Sequence, residues 1–161
     1  MSELKKKKFE RKISLTKDAR DGILSFCKMN HPNEGILILR GKSKHGDVYI
    51  DELVVPPFSE TGADFAGFPH NPLPLDLSYV GIVHSHPSGT AKPSLTDLDN
   101  FFGLVSIIVK SPYEDDDIFA WDSDGRELPL VIIWHWLKNL NVKILTKLYK
   151  FSRMIFQYDK L

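Results

Sequence analysis

The chain has 161 residues, 42% of them hydrophobic, and carries 21 basic and 21 acidic side chains, so it suits a single well-buried core and has no net charge to draw it to a polyanion. A lone cysteine, Cys27, excludes an internal disulfide framework and reads as a small core residue. No secretory hydrophobic region follows the basic start, so a soluble, cytoplasmic protein is expected.

The elements follow in chain order. Residues 1–10 form a basic N-terminal arm around Lys5 to Lys8, and a first strand is expected near Arg11 to Leu15. Thr16 opens a helix with apolar residues at Ile23, Leu24, Phe26 and Cys27, which ends before Pro32. Gly35 to Gly41 is a strand, and Gly46-Asp47 turns into a second over Val48 to Val55. The Pro- and Gly-rich loop from Pro56 to Ser78 is long for a compact domain, and such loops are usually functional or disordered. A strand over 79–84, a helix from 94 to about 103, and strands near 104–110, 118–122 and 127–134 complete one α/β (α+β) domain over residues 11–134. Asp124-Gly125 is its hairpin signal. Beyond it, Leu137, Leu140, Ile144, Leu148, Phe151, Ile155 and Tyr158 recur at helical spacing, so residues 135–161 are expected to form an amphipathic helix. Its apolar face needs cover from the domain's own core, another subunit or a membrane surface.

Charge is unevenly divided. Residues 1–44 hold 12 basic and 5 acidic groups (+7), residues 45–130 hold 3 and 15 (−12), and residues 131–161 hold 6 and 1 (+5). The acidic middle disfavours nucleic acid as a partner and would attract a basic protein surface, unless these faces neutralise one another within the fold or between subunits.

Most of the chemistry lies in His84-Ser85-His86-Pro87-Ser88-Gly89-Thr90-Ala91-Lys92-Pro93-Ser94-Leu95-Thr96-Asp97. Tyr79 to Val83 reads as a buried strand, and alternation along a continuing strand would put His84 and His86 on one face. Ser94 has the form of a helix cap and Asp97 of the third helical residue, where a carboxylate is tolerated at the positive end of the dipole. Pro87, Gly89 and Pro93 break regular structure between them, and a loop of this length can fold Asp97 back onto the histidines. Two imidazoles and a carboxylate suit one zinc with an open fourth position, the arrangement of a catalytic site. A His-x-His pair or a Ser-x-x-Asp cap arises easily alone, whereas the full conjunction is expected by chance in roughly one such chain in a thousand. His31, His45 and His70 sit in turn-rich contexts, and neither they nor His135 have ligand spacing. The chain lacks His-Glu-x-x-His, a Gly-x-Ser-x-Gly elbow and a Walker loop.

His-Ser-His-Pro, followed at fixed offsets by Ser94 and Asp97, resembles the signature of the JAMM (MPN+) metalloproteases. That family also has an upstream glutamate, and Glu34, within His31-Pro32-Asn33-Glu34-Gly35-Ile36, supplies it. The likeness covers roughly residues 14–134 and implies an MPN-type, cytidine-deaminase-like domain with a mixed sheet flanked by helices. The compact length and the Asp124 to Leu130 ending look most like archaeal or other prokaryotic relatives of the proteasome-lid deubiquitinase subunit.

The resemblance implies zinc held by His84, His86 and Asp97, Glu34 as general base, and Ser94 as hydrogen-bond donor to the oxyanion. It implies hydrolysis of isopeptide bonds to ubiquitin or ubiquitin-like (SAMP-like) modifiers. Alternatives are a peptidase that processes the C-terminal tail of a ubiquitin-like sulfur carrier, and a catalytically silent MPN scaffold. In the family an insertion before the site helps hold the modifier's tail, a role for which Phe58, Phe65 and Phe68 are candidates; their alternative is a flexible loop whose aromatics tuck onto the core. A proteasome-like complex, or a homodimer through the C-terminal helix, is a further expectation.

Overall fold

The computed structural model describes residues 11–69 and 73–134. The basic arm over 1–10, His70, and the helix expected over 135–161 with His135 lie outside the described residues.

A short strand, β1 (Ile13–Thr16), leads directly into α1 (Lys17–Asn30). Thr16 ends the strand and caps the helix: its backbone is extended, and its hydroxyl accepts a hydrogen bond from the Ala19 N–H at 3.3 Å. Ala19, Ile23, Leu24 and Cys27 recur at helical spacing and are buried, which seats one face of α1 on the sheet. The chain then runs through β2 (Ile36–Lys44) and β3 (Asp47–Val54), a small pair β4 (Glu60–Thr61) and β5 (Ala66–Gly67), and the long β6 (Tyr79–His86). After α2 (Leu95–Asp99) come β7 (Val105–Lys110), β8 (Ile118–Trp121), β9 (Glu127–Leu128) and β10 (Leu130–Ile133).

Eight of these strands form one mixed sheet in the order β10-β1-β3-β2-β6-β7-β8-β9. Strand β1 runs parallel to both its neighbours, β6 runs parallel to β7, and the other ladders are antiparallel. Val80 to His86 and Val105 to Val109 are buried without a break, as strands covered on both faces require. Helix α1 packs on one face, where Leu37, Leu39, Ile50, Val83 and Ile107 join its apolar residues in the core. This mixed α+β architecture, with a large sheet and few helices, is the fold class expected from the sequence.

Three expectations need correction. The single strand expected over 127–134 is divided by Pro129, which has no N–H for a ladder. Strand β9 adds to β8 at one edge of the sheet and β10 pairs with β1 at the other, so one residue of chain joins the two edges and the sheet curls nearly closed. The helix expected from 94 to about 103 has five residues. It buries none of them, and the Asn100 N–H turns back to Thr96 and Leu98. Gly103 follows at φ 77° and lies so close to β6 that a Cβ would sit 2.8 Å from Val80 backbone atoms, which only glycine allows. Finally, the loop over 56–78 contains the β4–β5 pair. Among the described residues, no helix is long and apolar enough to cross a membrane.

Candidate metal centre

Strand β6 carries the site at its C-terminal end. His84 and His86 are two residues apart, so their rings share one face, with centroids 4.9 Å apart and planes 21° from parallel. Both are buried. After β6 the chain turns through Gly89, which has φ 79°, and returns at the start of α2. There Ser94 and Asp97 close a capping box: the Ser94 N–H donates to Asp97 Oδ2 at 2.6 Å, and the Asp97 N–H donates to Ser94 Oγ at 3.1 Å. The box aims the carboxylate at the histidines, with Oδ2 3.4 Å from His86 Nε2 and Oδ1 3.8 Å from His84 Nε2.

One potential ligand atom from each of His84, His86 and Asp97 lies within 4.8 Å of the others. The donor set fits a divalent cation on three counts. His84 Nε2 is buried with no hydrogen-bond partner, an expensive state unless its lone pair has another use. His86 Nδ1 lies 2.9 Å from the Thr90 carbonyl, which can only accept, so Nδ1 holds the proton and Nε2 turns its lone pair to the cluster. Burial, reinforced by His86 and opposed by Asp97, pushes the His84 pKa down to about 4 and keeps that ring neutral.

Charges in the cluster are tightly linked. Burial alone would raise the Asp97 carboxyl, but the His86 hydrogen bond, His84 and the Ser94 donors outweigh it and hold it well below the usual carboxylate range. Burial would lower His86, but Asp97, the Thr90 carbonyl and Glu34 together raise it. A divalent cation held by these donors would need the His86 Nε2 lone pair and the ionised Asp97 carboxylate together, so its binding would depend on pH.

Glu34 lies on the connection between α1 and β2, its residue is only 9% exposed, and its carboxyl feels the charges of His86 and Asp97. Burial, with the Asp97 and Asp64 charges adding to it and His86 opposing, pushes its pKa up to about 7. It is therefore a carboxyl able to exchange a proton near neutrality, within electrostatic reach of two of the three ligands.

Beside the cluster lies a cleft of about 240 Å³. Ile36 and Ile82 line it from the sheet, Phe65, Ala66, Gly67 and Phe68 from the β5 side, and His84 and Asp97 where it meets the cluster. Phe68 packs edge-on against Phe102, and the Phe65 ring occupies the space a Gly62 side chain would need. Phe58 does not line the cleft; it is 76% exposed at φ 54°. Sequence reasoning missed two backbone contacts: the Thr90 carbonyl that orients His86, and the Gly62 carbonyl that accepts the Glu34 N–H at 2.7 Å. Backbone groups leave no residue-type signal.

Residues 16–124 match the family described as prokaryotic homologs of the JAB domain. The chain belongs to that family. A protein named "Probable metalloprotease" from Haloferax volcanii is 35% identical to this JAB-domain chain over 134 residues, covering 75% of this chain and 80% of that one. A solved structure described as JAMM, a metalloprotease-like zinc site in the proteasome and signalosome, is 27% identical with a TM-score of 0.56, over 76% of this chain and 98% of its own. A JAB1/MPN domain protein from Archaeoglobus fulgidus is 28% identical, also at 0.56, over 74% of this chain and 98% of its own. The JAB-domain chain thus combines a metalloprotease-like fold with a His-His-Asp cluster suited to a metal.

Proposed function

We propose that this protein is a zinc-dependent isopeptidase that releases a ubiquitin-like modifier from a lysine amine. The observation that carries the reading is the convergence of His84, His86 and Asp97 beside the buried Glu34, at the end of a cleft suited to an extended tail.

His84, His86 and Asp97 would hold the zinc, which when bound supplies a Lewis acid that polarises the scissile carbonyl and activates water. Glu34 accepts the proton of the attacking water and delivers it to the leaving amine, so the C–N bond breaks to a carboxylate and a free lysine. The Ser94 hydroxyl already accepts from the Asp97 N–H, which leaves its own hydrogen to donate to the oxyanion. Among the described residues the β4–β5 ladder has no third strand, so its edge beside the cleft can add strand-like hydrogen bonds to a substrate tail. Phe65 and Phe68 supply apolar walls, and a Gly-Gly-like tail suits a cleft in which backbone passes close to the cluster.

The test is incubation of zinc-loaded protein with several ubiquitin-like fusions and isopeptide-linked conjugates, with products identified by mass spectrometry. The reading predicts free modifier and unmodified lysine. It also predicts that Glu34→Gln keeps its zinc and loses about 10²–10⁴-fold in rate. Zinc-loaded protein that cleaves none of these conjugates would contradict it.

A further inference from the structure

Glu34 lies on a short connection, residues 31–35, that belongs to neither α1 nor β2. A base on such a segment acts only if something else fixes its backbone, because a misplacement of about 1 Å can cost 10²-fold in rate. Two side chains outside the ligand set do so from opposite ends. At the near end, the Tyr113 hydroxyl lies 3.1 Å from His31 Nδ1, and the two rings meet edge to face with centroids 5.8 Å apart. At the far end, Ser85 Oγ accepts the Gly35 N–H at 2.8 Å while the Ser85 N–H donates to the Gly35 carbonyl at 3.0 Å.

Both residues are built into place. Ser85 is fully buried and sits between the two histidines on β6, with its side chain on the opposite face, so it ties the base's segment directly to the ligand strand. Tyr113 is 3% exposed yet has φ 68°, a left-handed conformation uncommon for a bulky aromatic residue. Strained backbone of this kind persists where surrounding structure over-determines it, and it clusters at functional sites. A Cβ at Gly35 would come within 2.6 Å of the Phe26 ring of α1, so the residue that follows Glu34 is packed closely against that helix.

We propose that Ser85 and Tyr113 are a positioning pair that fixes the Glu34 carboxylate relative to His84 and His86. The proposal rests on the reading of Glu34 as base. Neither residue touches the reacting atoms.

The test uses zinc-loaded Tyr113→Phe and Ser85→Ala, each alone and combined with Glu34→Gln. The probe is a fluorogenic peptide carrying a Gly-Gly isopeptide on lysine, and amide hydrogen exchange at Glu34 and Gly35 is followed in parallel. Each single variant is expected to keep one zinc per chain, to lose about tenfold in kcat with KM within about twofold, and to exchange the Gly35 amide faster. In the Glu34→Gln background neither should cost anything further, since no base remains to be positioned. Tyr113→Phe keeps the ring and its backbone, so it carries the test should Ser85→Ala not fold. Full activity in Tyr113→Phe beside an inactive Glu34→Gln overturns the proposal alone, as do lost zinc or losses that multiply in the double variants. Full activity in Glu34→Gln overturns the base reading and the proposal with it.

Discussion

Holding Glu34 ready to exchange a proton should cost this protein stability in a pH-dependent way. Its carboxyl rises from an ordinary 4.5 to about 7 in the folded state, first through burial and then through the Asp97 and Asp64 charges. A group with a raised folded pKa binds more protons folded than unfolded between those two values, so stability falls as pH climbs from 4.5 through 7. At 1.36 kcal/mol for each tenfold change, the full cost above pH 7 is about 3 kcal/mol. Glu34→Gln removes the ionisation. Chelator-treated variant should therefore match the parent near pH 4.5, gain progressively through pH 6, and be more stable by about 3 kcal/mol at pH 8. Urea denaturation of both proteins at pH 4.5, 6 and 8 measures the difference. A stability difference that does not change with pH would refute the reasoning, because it would mean that Glu34 is not held protonated by its surroundings.

Ser94→Ala removes a helix cap and, on the proposed mechanism, the oxyanion donor. Thermal melts should show a loss of about 1 kcal/mol, and initial rates a larger fall of about 10²–10³-fold. A rate loss no bigger than the stability loss explains would confine Ser94 to capping. Replacing Phe65 and Phe68 together by Ala opens two walls of the cleft, so KM should rise about tenfold or more while zinc content holds, as steady-state kinetics and elemental analysis would show. Unchanged KM would place the tail on another surface.

The legible parts of the fold and site were those set by side-chain period and local capping. His84 and His86 fall on one face because strands alternate, and Thr16 and Ser94 announce their helices through cap chemistry that a few residues decide. Glu34 is different. It lies outside both flanking elements, nothing in its spacing joins it to the histidines, and only the family resemblance singled it out. Strands β4 and β5 have two residues each and no alternation to read. The helix expected to run to about 103 ends at Asp99, and Phe101 and Phe102 instead lie between it and a turn at Gly103, whose φ of 77° no sequence period announces. Pro129 marks a break in sequence, but its consequence, strands at opposite edges of one sheet, depends on tertiary pairing. Ser85 and Tyr113 are ordinary residue types whose contacts span 50 and 82 positions, between β6 and Gly35 and between Tyr113 and His31.

The proposed function requires His84, His86 and Asp97 to form one zinc site beside Glu34. Elemental analysis after dialysis against limiting free zinc tests it most directly, comparing the parent with the His84→Ala, His86→Ala double variant. One zinc per chain is expected in the parent and essentially none in the double variant. Stoichiometric zinc retained by the folded double variant would put the metal elsewhere and rule out these residues as its ligands.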